Sequence, residues 1–392
     1  MNDNLKPSLL IATGIFAPEI GGPASYINTL AAGIGAEFSI RIITYSPVLT
    51  YAGDKNYPFP VTRIWKGFPK GLRHLIYFIR LLVLVRGCDA VLSLNNISAG
   101  YLTFLAARLF GKKFILKVPG DSAWERAALT RKTGLLLDDF QKSEKTGYIK
   151  YLYQVQAKTA KKADAIIVPS EYLAKIVRGW GADPTKVHVI YNSIDINMPA
   201  NSKEEARKKI GVAGNVILAY GRLVPWKGYT MLIKLMPELL KLNQFFRLVI
   251  VGDGPEMPKL RLAVKNLSLV NKVYLAGSKS KNELLNYLAA ADIFIQNTGY
   301  EGFSHQIVEA LAAGIPVITT NVGGNREIIH QGENGFMVKY NDEFNLIEAI
   351  KTIWQTPELR DRFIENGKKT AEYFNSGKMI SETRKLLLSL RN

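Results

Sequence analysis

The stretch NVILAYGRLVPWKGYTMLIKLMPELLKLNQFFRLVIVG, residues 215–252, decides the fold. NVILAY and FRLVIVG are short apolar runs fit for strands buried on both faces. Between them YGRLVPWKGY has the Gly and Pro of a loop, and GYTMLIKLMPELL repeats its apolar residues at helical spacing. Strand, loop, helix and strand in that order build a parallel sheet, because parallel neighbours need a crossover between them.

The same rhythm runs outward in both directions. KVYLAG, DIFIQN and PVITT come next in the second half, alternating with helices such as KNELLNYLAAA. In the first half SLLIAT, FSIRIIT, CDAVLSLN, KFILKV, DAIIVP and VHVIY alternate with helical patterns such as PASYINTLAAGI and ISAGYLTFLAARLF. A chain of 392 residues is too long for one ordinary core. The expected fold is therefore α/β, two doubly wound Rossmann-like domains facing an interdomain cleft, with ligands at the carboxyl ends of strands. The boundary is placed near YNSIDINMPANSKEE, residues 191–205, giving domains over 1–195 and 196–374. Residues 375–392 read as a last amphipathic helix packing back on the first domain. The charged stretch 121–150 exceeds a plain crossover and is expected to be a mobile substrate loop.

Composition narrows the function. The single Cys88 excludes a disulfide framework or a cysteine metal cluster and points to a reducing, cytoplasmic location. MNDNLKPSLLIAT lacks the basic region of a signal peptide, and the apolar run LIYFIRLLVLV is broken by Arg80 and too short for a bilayer. The 51 Lys and Arg against 33 Asp and Glu give a formal charge of +18, of which about +11 falls before Ile196. Such an excess favours an anionic partner, whether phosphorylated substrate, anionic lipid or nucleic acid, although surface solubility explains it equally. No RNA motif or zinc finger selects nucleic acid.

EGFSHQIVEALAAGIP, Glu301 to Pro316, places one carboxylate before an apolar helix and a second, Glu309, inside it. Ser304 is the expected N-cap and Gly314 with Pro316 the stop. An ionised Glu309 in such a helix needs a partner, and the residues leave open whether that is an Arg or Lys or a ligand. With carboxylates about 10 Å apart, Glu301 and Glu309 are spaced for the two ends of an elongated polyol, and helix amides between them suit an anion. Gly21 and Gly22 before the helix at Pro23 allow a phosphate to approach, or form a plain turn. Arg222 and Lys227, near the end of NVILAY, supply cations for a diphosphate, or are ordinary surface charges. His74, His188 and His330 have no ligand-spaced partner.

GRLVPWKG, VGDGPE, the Glu-x7-Glu of EGFSHQIVE, EALAAGIPVITT and GGNREII, in this order and spacing, resemble the retaining glycosyltransferases of the two-Rossmann-domain (GT-B) type, glycosyltransferase family 4-like. The resemblance covers nearly the whole chain. It implies that Glu309 binds the ribose of a nucleotide, Glu301 contacts the donor sugar, and Arg222 and Lys227 hold the diphosphate. It places the amides of Phe303, Ser304, His305 and Gln306 on the same phosphates, and Ser278 and Lys279 at the base. Many relatives carry a histidine after the strand matching KFILKV, where this chain has KVPGDSAWERA. Asp121 is the nearest candidate there for a catalytic polar role, either orienting the acceptor hydroxyl or bonding the donor sugar.

The resemblance implies a retaining hexosyl transfer from a UDP- or GDP-sugar to a glycan or lipid-linked acceptor, in cell-envelope polysaccharide or glycolipid synthesis. Attack is expected from the front face, with Arg222, Lys227 and helix N-termini stabilising the departing diphosphate. No Asp-x-Asp pair is found, so activity without a metal or other cofactor is expected. The basic first half fits work at the inner face of the cytoplasmic membrane. A dehydrogenase is disfavoured for want of Gly-x-Gly-x-x-Gly after a strand. The remaining alternative, a non-catalytic basic module binding nucleic acid or anionic membrane, leaves Glu301 and Glu309 idle.

Overall fold

The computed structural model describes residues 6–19, 21–194 and 201–390. The chain divides into two compact units, one of Met1–Ala127, Asp138–Ser193 and Ser376–Asn392, the other of Ala128–Leu137 and Ile194–Asn375. Residues 195–200, on the expected boundary, lie outside the described residues. Ala128–Leu137, expected in the first domain, belongs to the second unit.

In the first unit the strands are β1 (Ser8–Thr13), β2 (Ser39–Ser46), β3 (Val61–Trp65), β4 (Ala90–Ser93), β5 (Lys113–Lys117), β6 (Ala165–Val168) and β7 (Val187–Val189). They form one parallel sheet in the order β3-β2-β1-β4-β5-β6-β7. The second unit holds β8 (Asn215–Tyr220), β9 (Phe246–Val251), β10 (Val273–Gly277), β11 (Ile293–Gln296), β12 (Val317–Thr320) and β13 (Gly335–Val338). Their order is β10-β9-β8-β11-β12-β13, again parallel. In each sheet the direction of winding reverses beside the first strand, β1 or β8. The carboxyl ends of β8 and β11 therefore flank a crevice, the place where doubly wound sheets bind ligands.

Two strands, β3 and β13, were not legible as strands, and both lie on sheet edges. Edge strands are only half covered, so VTRIW keeps Thr62 and Arg63, and GFMV begins on a glycine. Central strands are buried on both sides and read as unbroken apolar runs, as in β8, where Val216 to Tyr220 are all buried.

The helix Ser376–Ser389 packs on the helix Gly22–Ile34 within the first unit. Tyr26 and Thr383 share a hydrogen bond of 3.4 Å, Arg384 pairs with Glu37 at 2.7 Å, and Met379, Leu386 and Leu387 complete the core over β1 and β5. The stretch 121–150, expected to be a mobile substrate loop, is largely helical. It forms the helices Ser122–Leu129 and Leu137–Lys142 and enters a third, Gly147–Lys161. The first of these helices is capped locally: the Asp121 carboxylate accepts from the Trp124 N–H at 2.9 Å and its carbonyl from the Glu125 N–H at 3.0 Å.

Candidate active site

Tyr220, the last residue of β8, aims its hydroxyl at the helix His305–Ala312. It donates to Glu309 Oε2 at 2.5 Å and lies 3.2 Å from the Gln306 carbonyl oxygen. The helix is held as its sequence directs: the Ser304 hydroxyl accepts from the Ile307 N–H at 3.2 Å, and Gly314, at φ 70°, ends it. Burial pushes the Glu309 carboxyl above its usual range, while the Tyr220 hydrogen bond and the charge of Lys281 pull the other way. Burial also raises the Tyr220 phenol well above its ordinary value, so the proton stays on tyrosine and the bond is charge-assisted whenever Glu309 is ionised. Glu309 is thus held by a phenol rather than by the salt-bridging Arg or Lys that the sequence left open.

Glu301 sits at the mouth of the same helix. Lys227 donates to its Oε2 at 2.5 Å, and Gln296 Nε2 lies 3.3 Å from that oxygen and 3.2 Å from Gln306 Oε1. The Lys227 and Glu301 side chains are only 10% and 17% exposed, so the pair is screened less than a surface ion pair. Two glycines fix this geometry. Gly228 has φ 56° and Gly323 φ 52°, and a Cβ would overlap Asn297 on the first and the Glu301 carbonyl on the second. The Gly324 N–H donates to that Glu301 carbonyl at 3.0 Å, tying the GGN turn to the Glu301 loop.

The other expected donor contacts of the second unit surround this pair unevenly. Arg222 is exposed, its guanidinium carbon 5.7 Å from the Trp226 ring centroid. Phe303 is buried, edge-on to His305 at 5.8 Å and to Phe374 at 5.3 Å. Its side chain packs in the interior of the second unit. Ser278, exposed, and Lys279, half-buried, lie in the turn after β10, ahead of a helix that starts on a reciprocal Ser280–Glu283 cap. Lys279 also lies 4.0 Å from Glu283, a weak competitor for any base contact.

In the first unit Gly21 precedes the helix Gly22–Ile34, with Pro23 in its first turn and no side-chain cap. Gly21 is extended and needs no glycine for its backbone. A Cβ on Gly22 would meet nothing within 4 Å, so protein packing leaves the space beside this helix start open. Asp121 does not fit the catalytic role expected of it. It is fully buried, with Oδ1 taken by the Trp124 N–H and Gln156 at 2.9 Å each and Oδ2 by Gln141 at 2.8 Å. Burial raises its carboxyl, against the hydrogen bonds that lower it. These contacts make Asp121 a helix cap and the centre of a buried polar network.

Sequence reasoning missed Tyr220 and Gln296. Both are polar residues closing an apolar strand at its carboxyl end, and that was the available signal. Among the described residues no group of three or more His, Cys, Asp or Glu converges as a metal site.

Residues 202–370 match the family model Glycosyl transferases group 1, and residues 20–198 match Glycosyltransferase Family 4. The chain belongs to the glycosyltransferases of the GT-B type. This glycosyltransferase is 30% identical over 229 residues to N-acetylgalactosamine-N,N'-diacetylbacillosaminyl-diphospho-undecaprenol 4-alpha-N-acetylgalactosaminyltransferase of Campylobacter jejuni. That match spans 58% of the chain and 60% of the relative, less than two thirds of its length. It is 25% identical to the UDP-Gal:alpha-D-GlcNAc-diphosphoundecaprenol alpha-1,3-galactosyltransferase of Escherichia coli, over 90% of each chain. In fold it resembles Anabaena HepE, solved in complex with UDP-glucose, with a TM-score of 0.80 at 20% identity over 97% of this chain and 99% of HepE.

Proposed function

We propose that this glycosyltransferase moves a hexosyl group from a nucleoside-diphosphate sugar to a hydroxyl of a lipid-linked or glycan acceptor, with retention of configuration and without a metal ion. The observation that carries the reading is the pairing of two carboxylates around one helix start, Glu309 on Tyr220 and Glu301 on Lys227, at the switch point beside β8 and β11.

In this reading the ribose diol donates to Glu309, whose Oε2 is held by the Tyr220 hydroxyl. The diphosphate lies over the helix start at Ser304 to Gln306, where the partial positive charge of a helix N-terminus favours an anion. Lys227 then serves both ends of the donor: its ammonium neutralises phosphate oxygen while Glu301, released from it, accepts sugar hydroxyls. Arg222, on the same loop, adds a second cation. As the bond from the sugar carbon to the diphosphate oxygen breaks, charge grows on that oxygen, and these groups stabilise it. The acceptor hydroxyl attacks from the same face and its proton passes to the departing diphosphate.

The names of the relatives support UDP as the nucleotide and a polyprenyl diphosphate-linked acceptor, since HepE is solved with UDP-glucose and both transferases above act on diphosphoundecaprenol-linked substrates by name. Work at the inner membrane face in envelope polysaccharide or glycolipid synthesis fits such an acceptor. The test is turnover of UDP-α-hexoses with a polyprenyl diphosphate-linked sugar in chelator, the product anomer read by NMR. An α-linked product is expected. A β-linked product contradicts retention, and turnover that returns only with added magnesium contradicts the metal-free reading.

A further inference from the structure

We infer that the first unit docks on an anionic lipid bilayer through the outer face of the helix Lys70–Arg86. This helix, KGLRHLIYFIRLLVLVR, is apolar on both sides. Tyr77, Leu81 and Val85 are buried against the unit, as a surface helix requires. The opposite side should then be polar, yet it carries Leu72, Leu75, Ile79 and Val83, at 45%, 55%, 51% and 63% exposure. Their spacing of three, four and four residues puts them in a single stripe. Scattered exposed leucines need no explanation, but a continuous stripe marks an interaction surface.

The charge around the stripe names the partner. The helix Ser98–Leu109 packs against this helix and against Gly147–Lys161. Across the three, KGLRHLIYFIRLLVLVR, SAGYLTFLAARL and GYIKYLYQVQAKTAK, there are eight Lys and Arg and no Asp or Glu. Lys70, Arg80, Arg86 and Arg108 are exposed near the stripe. Exposed aromatics accompany them: Trp65 just before the helix, and Tyr148, whose ring lies 5.7 Å from the Lys70 ammonium. Leucines to enter the acyl boundary, aromatic rings at its level and cations without acids suit an interfacial helix on anionic lipid. No helix of the described residues is long and apolar enough to cross a membrane, so this face lies on the bilayer. A protein partner or second copy would gain from the stripe but not from so one-sided a charge.

The purpose of docking, access to a lipid-linked acceptor, rests on the proposed function, but docking itself is read without turnover. The full chain is floated with phosphatidylcholine vesicles and with vesicles also containing phosphatidylglycerol, at low and high salt. Wild type should bind the anionic vesicles, weakly the neutral ones, and lose binding as salt rises. Ile79→Asp and Val83→Asp, at exposed positions, should each lower binding at least tenfold with melting temperature and UDP affinity unchanged. Leu242→Asp, an equally exposed leucine of the second unit, should leave it intact. Should an aspartate variant unfold, Ile79→Ser with Val83→Ser replaces it. Binding that ignores the stripe variants, equal binding to both vesicles, or none to either overturns the inference. So does a dimer in light scattering that these variants dissociate, which would make a second copy the occupant.

Discussion

Tyr220 donates its hydroxyl to Glu309 at 2.5 Å, joining the end of β8 to a carboxylate inside the helix His305–Ala312. The bond offers a half-hidden carboxylate one neutral donor where an ion pair would otherwise be expected. An acceptor kept in that state is suited to hydroxyls arriving from a ligand.

Glu309→Gln separates stability from binding. Burial holds the folded-state pKa above the unfolded value, so the folded chain binds more protons between the two and stability falls as pH rises through that window. Above it the cost of the buried carboxylate is fully present; below the unfolded value it is absent. Glu309→Gln should therefore match or exceed wild type in melting temperature at neutral pH, with the difference shrinking in acid. Nucleotide affinity should fall about tenfold or more, since a charged acceptor becomes a neutral amide. Thermal melts across pH, with UDP titration, check both.

The Lys227–Glu301 pair predicts asymmetric single mutants. Lys227→Ala strands a largely covered carboxylate and should cost about 2 kcal/mol of stability, with a large loss of kcat. Lys227→Ala with Glu301→Ala should recover most of the stability and none of the activity. A double-mutant cycle read by denaturant melts and turnover distinguishes this from two independent surface charges.

How much of this was legible depends on the physics of burial. Strands covered on both faces, such as NVILAY and DIFIQN, announce themselves, whereas the edge strands VTRIW and GFMV do not. Ser304 as N-cap and Gly314 as stop are local features and were readable. The partners were not. Tyr220 and Glu309 are 89 residues apart, Lys227 and Glu301 74, and pairings of that range depend on sheet order. Asp121 failed for the same reason: its local role as a cap was open to view, but Gln141 and Gln156, which close around it, come from later helices.

Lys117 gives a pH signature in the first unit. Its ammonium is buried 4.0 Å from the Tyr26 ring centroid, with no hydrogen-bond partner, and burial lowers it from 10.5 to about 7. Between those values the unfolded chain binds more protons than the folded one, so stability should rise with pH from about 7 toward 10.5. Below 7 both states are charged and the burial cost, on the order of a few kcal/mol, is fully present. Lys117→Met should melt higher than wild type at about pH 6.5 and lose that advantage by about pH 10. A difference that stays constant with pH contradicts this.

Gly323→Ala should destabilise by about 2 kcal/mol or more, because φ 52° strains alanine and its Cβ overlaps the Glu301 carbonyl. Activity at a temperature where the variant stays folded should fall as well, since the shift passes to Glu301. Ala at Gly22, where space is open, should leave the melting temperature nearly unchanged.

That Glu309 reads the ribose of a nucleoside-diphosphate sugar is tested most directly by calorimetric titration of UDP, GDP, ADP and dTDP in chelator into wild type and Glu309→Ala. UDP should bind wild type tightly, and the variant, still folded, should lose that binding. Wild type that binds none of the four, or a variant that binds UDP as well as wild type does, contradicts the ribose role.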